Sequence, residues 1–177
     1  MTRRLIYLLL SLLLVGASWA QSNNDALSPD EIDQIRDAAQ EPGERLKLYI
    51  KFARQRLDTA EQSRTDPKVK DHAAAIHDEL QDFLSIYDEM DENVDTYADR
   101  NDDVRKGLKA VIEADTEFQM KLRSLQEATA ASQDKDVYQF VLTNSLEDVD
   151  DGAQDHRELL AKQEEAAKHR KKREKAD

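Results

Sequence analysis

Cysteine is absent from this chain, so a disulfide framework, a thiol nucleophile and a thiolate metal site are all unavailable to it. Proline occurs three times, always before residue 68, and beyond residue 20 the glycines are Gly43, Gly107 and Gly152 alone. Breakers this sparse make long helices the default, and isolated glycines cannot build a phosphate-cradling loop. No Gly-x-Ser-x-Gly turn is present, which removes the nucleophile elbow. The one tryptophan, Trp19, lies so close to the N-terminus that the rest of the chain lacks this residue as a stacking platform. Long apolar runs are confined to Leu5–Val15.

That run follows Arg3 and Arg4 and ends in Ser18-Trp19-Ala20. A basic start, an apolar centre and a small-residue end are the three zones of a secretory signal peptide, expected to be cleaved after Ala20. The run is shorter than the ~20 residues that cross a bilayer, so no stable membrane span is expected after cleavage. The expected destination is the periplasm or the extracellular space. Cleavage removes two arginines and takes the formal charge from −12 to −14. A surface so acidic repels nucleic acid, and none is expected as a partner. With 36% charged residues and a mean hydropathy of −0.82, the chain suits elongated helices with a thin core.

The fold class expected is all-α: an elongated helical bundle, or an antiparallel coiled-coil hairpin of long helices, over residues 28–167. It is preceded by a flexible segment, 21–27, and followed by a basic tail, 168–177. Ser28-Pro29-Asp30-Glu31 supplies a capping serine, a proline at the first helical position and a glutamate able to reach back. That short helix should end near Gln40. A second, over 44–63, carries Leu46, Ile50, Ala53, Leu57 and Ala60 on one face and Leu48 and Phe52 on another. Asp66-Pro67 reads as the next start.

From Val69 an alternation of four and three runs through Ala73, Ile76, Leu80, Phe83, Tyr87, Met90, Val94 and Tyr97, then resumes in register from Val104 to Leu125. A sustained heptad seam faces a partner helix. The polar Asp99–Asp103 stretch is the expected break, giving antiparallel helices over 67–98 and 102–131; one continuous helix is the alternative. Asn101 and Asp115 are polar residues on that seam. A last helix carries Leu142, Leu146, Val149, Ala153, His156 and Leu160, and frays into the tail.

Metal chemistry finds little purchase. From Asp148, an EF-hand loop would have Gly152 at its fifth position and Leu159 at its twelfth, where glycine belongs at six and glutamate at twelve. No histidine has a glutamate three residues before it, and no two lie four apart, so neither the di-iron bundle pattern nor the helical zinc pattern is present. His156 on an apolar seam reads as a hydrogen-bonded structural histidine. No catalytic, cofactor or metal residue is assigned, and no enzyme activity is expected.

Charge offers the remaining candidates. Arg45, Lys47, Lys51, Arg54 and Arg56 cluster on the second helix, which reads as pairing with neighbouring helices. The acidic residues Asp91, Glu92, Asp95, Asp99, Asp102 and Asp103, near the expected hairpin tip, form a candidate interaction surface. The basic Arg170, Lys171, Lys172 and Arg173 of the tail form another.

The segment from Glu41-Pro42-Gly43-Glu44-Arg45-Leu46 through Arg54-Gln55-Arg56-Leu57-Asp58 resembles one that recurs in uncharacterised exported helical proteins of bacteria. That resemblance implies no activity. In size and helical architecture the chain is similar, as a class, to periplasmic chaperones of the Skp and Spy types. It is acidic where Skp-like proteins are basic, and it lacks the Leu-Thr-x-x-Gln signature of Spy-like ones. The function expected is an exported binding or structural module of the cell envelope with a protein partner, self-association being one option; the alternative is a holdase chaperone, and divalent-cation binding or catalysis comes third.

Overall fold

A computed structural model of the protein describes residues 26–174, apart from the side chains of Lys171 and Glu174. The leader expected over 1–20 lies outside the described residues. Among the described residues five α-helices follow in order: α1 (Pro29–Asp37), α2 (Pro42–Ser63), α3 (His72–Asp99), α4 (Arg105–Thr129) and α5 (Gln139–Glu174), with a 3₁₀ turn, Lys135–Val137, before α5. The protein is all-α.

The α1 start is a complete capping box: Ser28 Oγ accepts from the Glu31 N–H and Glu31 Oε2 accepts from the Ser28 N–H at 2.8 Å. Glu31 also holds Arg56 of α2 at 2.7 Å, and Arg56 donates to the Ala26 carbonyl at 2.7 Å. Leu27, placed by sequence in a flexible segment, is therefore tied down and buried.

Several helix boundaries differ from expectation. Pro42 is the first residue of α2, as suits a residue whose missing N–H is no loss there. Asp66 accepts from the Lys68 N–H at 2.9 Å and makes a local turn, whereas Asp71 caps α3 through the Ala74 N–H at 3.0 Å, so α3 begins at His72 and not at 67. The α4 helix begins at Arg105 and not at 102, because Asn101 takes a φ of 59° and closes α3 instead. There the Asn101 N–H reaches the Ala98 carbonyl and the Asp102 N–H the Tyr97 carbonyl, each at 2.9 Å, the two bonds of a Schellman end. The last helix does not fray at 168 but runs to Glu174.

The seam folds back on itself at this turn, with Phe83 and Phe118 in one layer, ring centroids 5.3 Å apart and edge to face. Yet α3 and α4 are not side-by-side neighbours. The closely packed pairs are α2 with α3, α4 with α5, α2 with α4, and α3 with α5, so the order around the bundle is α2, α3, α5, α4. Hence α3 and α4 meet across the diagonal, through Phe83, Tyr87, Phe118 and Asp115. One consequence is that two neighbouring pairs run parallel. Arg54 with Glu117 and Asp58 with Lys121 keep one offset along α2 and α4, as Asp91 with His156 and Tyr87 with Gly152 do along α3 and α5. The core between them includes Leu46, Leu80, Met90, Leu108, Val111, Leu122 and Val149, all fully buried. At ~0.8 kcal/mol per buried CH₂, such side chains are the main source of stability in a chain without cross-links.

Candidate functional site

The seam that holds α5 to α3 contains a polar cluster where apolar packing is the rule. The Tyr87 hydroxyl donates to Asp115 Oδ1 at 2.9 Å, and His156 Nδ1 donates to Asp115 Oδ2 at 2.9 Å. On the other edge of the ring, Nε2 lies 2.9 Å from Asp91 Oδ1, an ion-pair distance without the alignment of a hydrogen bond. Asp115 is wholly buried, His156 is 1% exposed, and Asp91 is half in water, so the cluster runs from the bundle centre to the surface. Three helices contribute: α3 brings Tyr87 and Asp91, α4 brings Asp115, and α5 brings His156.

Gly152, one turn before His156, makes room for the Tyr87 hydroxyl. A Cβ there would lie 2.5 Å from the Tyr87 hydroxyl oxygen, so glycine is required by close approach within a helix that otherwise disfavours it.

Burial alone would lower the His156 pKa. The hydrogen bond that His156 donates to Asp115 and the partnership of Asp91 outweigh it and hold the imidazolium up to about 9. Burial, reinforced by Asp115, pushes the Tyr87 hydroxyl well above its ordinary range, so it serves only as a donor here. The arrangement is a buried cation between two carboxylates. Among the described residues no group of three or more His, Cys, Asp or Glu side chains converges as a metal site.

Above this cluster the α3–α5 surface is a stripe of one sign. Partial burial raises the Asp88, Asp95 and Asp148 carboxyls, and mutual repulsion adds to it: Asp148 and Asp91 act on Asp88, Asp91 and Asp99 on Asp95, Asp151 and Asp91 on Asp148. Among the described residues no Lys or Arg lies within ion-pair distance of these three.

The acidic candidates named from sequence therefore divide. Asp91 and Asp95 belong to the stripe, while Glu92 and Asp99 are exposed on α3. Asp102 and Asp103 do not join it. Asp102 pairs with Arg100 at 2.9 Å, and Arg105, donating to Asp103 at 2.8 Å, holds that carboxyl down at about 2. Both line a cleft of about 430 Å³ against the end of α5, which also takes in Arg105, Lys162, Gln163 and Arg170. Of the basic candidates, then, Arg170 reaches the acidic turn of its own chain, and Lys172 and Arg173 are exposed. Lys171 lies in α5, its side chain outside the description.

Of the basic residues of α2, Arg54 and Arg56 pair with neighbouring helices, Lys47 pairs with Glu44 of its own helix, and Arg45 and Lys51 form no ion pair among the described residues. Arg54 binds Glu117 in a two-point fork at 2.8 Å, and Arg56 binds Glu31. Sequence reasoning singled out Asp115 and His156 separately as polar residues on apolar seams; it did not join them, and it missed Tyr87 and Gly152. The available signal was one acidic and one basic group each set alone into a hydrophobic seam, since either would need the other.

No protein-family model matches this chain, and neither a curated protein nor a solved structure shows significant similarity to it.

Proposed function

We propose that this chain is an exported helical binding or structural module of the cell envelope, engaging a protein partner through its charged outer faces. The observation that carries the proposal is the carboxylate stripe along α3 and α5, which lacks the Lys and Arg pairing found along the α2–α4 seam. Unpaired charge of one sign on rigid helices suits recognition of a partner bearing the opposite charge, by steering and by register. The apolar leader supports export. Catalysis is not proposed, since Tyr87, Asp115 and His156 are turned toward one another inside the bundle.

A holdase would draw on exposed apolar surface. Among the described residues the exposed large apolar side chains are Ile32, Met120, Val137 and Phe140, of which only the last two are near neighbours in the chain. That favours a specific module over a general client binder.

The test is affinity capture from envelope extract at pH 7, using the processed chain and an Asp88→Lys/Asp95→Lys/Asp148→Lys variant of equal helix content. A saturable partner retained by the first and lost by the second is expected. Equal retention by both would remove the stripe from the account.

A further inference from the structure

The C-terminal half of α5 is attached to the bundle differently from its first half. Val141, Leu142, Ser145, Val149, Gly152, Ala153 and His156 are buried, and past His156 no described residue of the helix is. Leu159 and Leu160 are only partly buried against the core. What remains is polar: Gln163 accepts from the Val104 N–H at 3.2 Å and donates to the Asp102 carbonyl at 3.0 Å, and Lys109 pairs with Glu164 at 3.0 Å on the surface. His156 is thus the last buried residue of α5, and its charge lies where the helix passes from core to periphery.

We propose that residues 157–174 form an arm latched by the charged His156: with the ring protonated the arm lies along α3 and α4, and with the ring neutral it parts from them. Every group facing the ring favours this sense. From α3 come Asp91, in contact, with Asp95 behind it and the Tyr87 hydroxyl beside it; from α4 comes Asp115. From α5 itself, Asp155 adds to the negative field at Asp95. Removing the one cation leaves α3 and α5 facing each other with carboxylates alone, and leaves Asp115 a buried anion without its counter-charge. Grip is lost where no buried apolar side chain replaces it. The arm carries Arg170, which lines the cleft beside Asp102 and Asp103, so the latch also governs whether that guanidinium lies against the acidic α3–α4 turn.

The device is independent of the partner-binding proposal, whose capture assay is run at one pH. Absence of cysteine makes labelling clean. Spin labels on cysteines placed at Thr96 and Glu165 report on the arm, and labels at Gln55 and Glu113 on the α2–α4 seam, all four positions being exposed. As pH rises from 7 to 10, the arm distances should lengthen and broaden reversibly with a midpoint near 9, while the control pair stays narrow. His156→Gln should give broad arm distances already at pH 7 that no longer respond to pH. Should that variant fail to fold, the ring resonances of His156 in the unaltered chain must still titrate with the arm distances. Arm distances constant to pH 10, both pairs broadening together, or a ring that titrates below 7 would each overturn the latch.

Discussion

Gly152 and Gly43 differ in what an added methyl group meets. At Gly43 nothing lies within 4 Å, so Gly43→Ala should raise stability by up to about 1 kcal/mol through the entropy of the unfolded chain. At Gly152 the same change drives a Cβ into the Tyr87 hydroxyl, and Gly152→Ala should cost about 1–3 kcal/mol. Tyr87→Phe removes the obstructing oxygen but leaves Asp115 one donor short, costing roughly 1–3 kcal/mol on its own. The double variant should therefore be less damaged than the two single losses added together, because one atom causes the clash and supplies the bond. Additive losses in thermal denaturation would mean that Tyr87 does not occupy this place.

Helix against helix, the apolar seam and the charged seam should respond on different scales. Leu80→Asp or Leu122→Asp places a charge at a fully buried position and should cost several kcal/mol, a large share of the ~5–15 kcal/mol that holds a domain together. Glu92→Ala, at an exposed position of α3, should change the thermal midpoint little. The Arg54–Glu117 fork is more than a third exposed on its arginine side, so Arg54→Ala should lose no more than ~1 kcal/mol despite good geometry. Similar midpoints for Leu80→Asp and Arg54→Ala would contradict the packing described. How legible these elements were followed the range of the interactions that make them. Heptad spacing revealed the seam from Ala73 to Leu125 nearly residue by residue, since helix burial follows a local period. The starts of α3 and α4 were misplaced, since Asp66 and Asp71 have equal capping chemistry and only the fold selects between them.

For the molecule as a whole, stability should peak in mild acid. The raised pKa of His156 contributes stability that is fully present below its unfolded value near 6.5 and is lost as pH rises through about 9. The raised carboxyls of Asp88, Asp95 and Asp148 oppose folding while ionised, and that opposition fades as they take up protons. In the other direction, Glu31 is lowered by Arg56 and the Ser28 N–H against the effect of its burial, and Asp103 is lowered to about 2 by Arg105. Their contribution is present above the unfolded carboxylate range and is lost as pH falls through the folded values. A thermal midpoint that climbs from pH 9 to about 5 and declines below about 4 is expected. A profile flat from pH 5 to 9 would contradict the buried ion pair. Were the chain cleaved after Ala20, as its leader-like N-terminus leads one to expect, it would lack indole emission, because Trp19 would be removed while Tyr49, Tyr87, Tyr97 and Tyr138 stay; an indole band in purified exported protein would contradict cleavage there.

What the sequence determined by itself is the helical class, the capping box at Ser28 and the identity of most core residues, because each depends on neighbours within a few positions along the chain. The order of helices around the bundle depended on something else. A heptad seam says that α3 and α4 bury apolar faces, and it says so equally for adjacent helices and for helices across a diagonal. Placing them on the diagonal sets α5 parallel to α3, and that alone brings His156 between Asp91 and Asp115 and gathers Asp88, Asp95 and Asp148 on one surface. Charges separated by dozens of residues acquire their meaning only from that proximity, since Coulomb interaction depends on distance in space and not on distance along the chain.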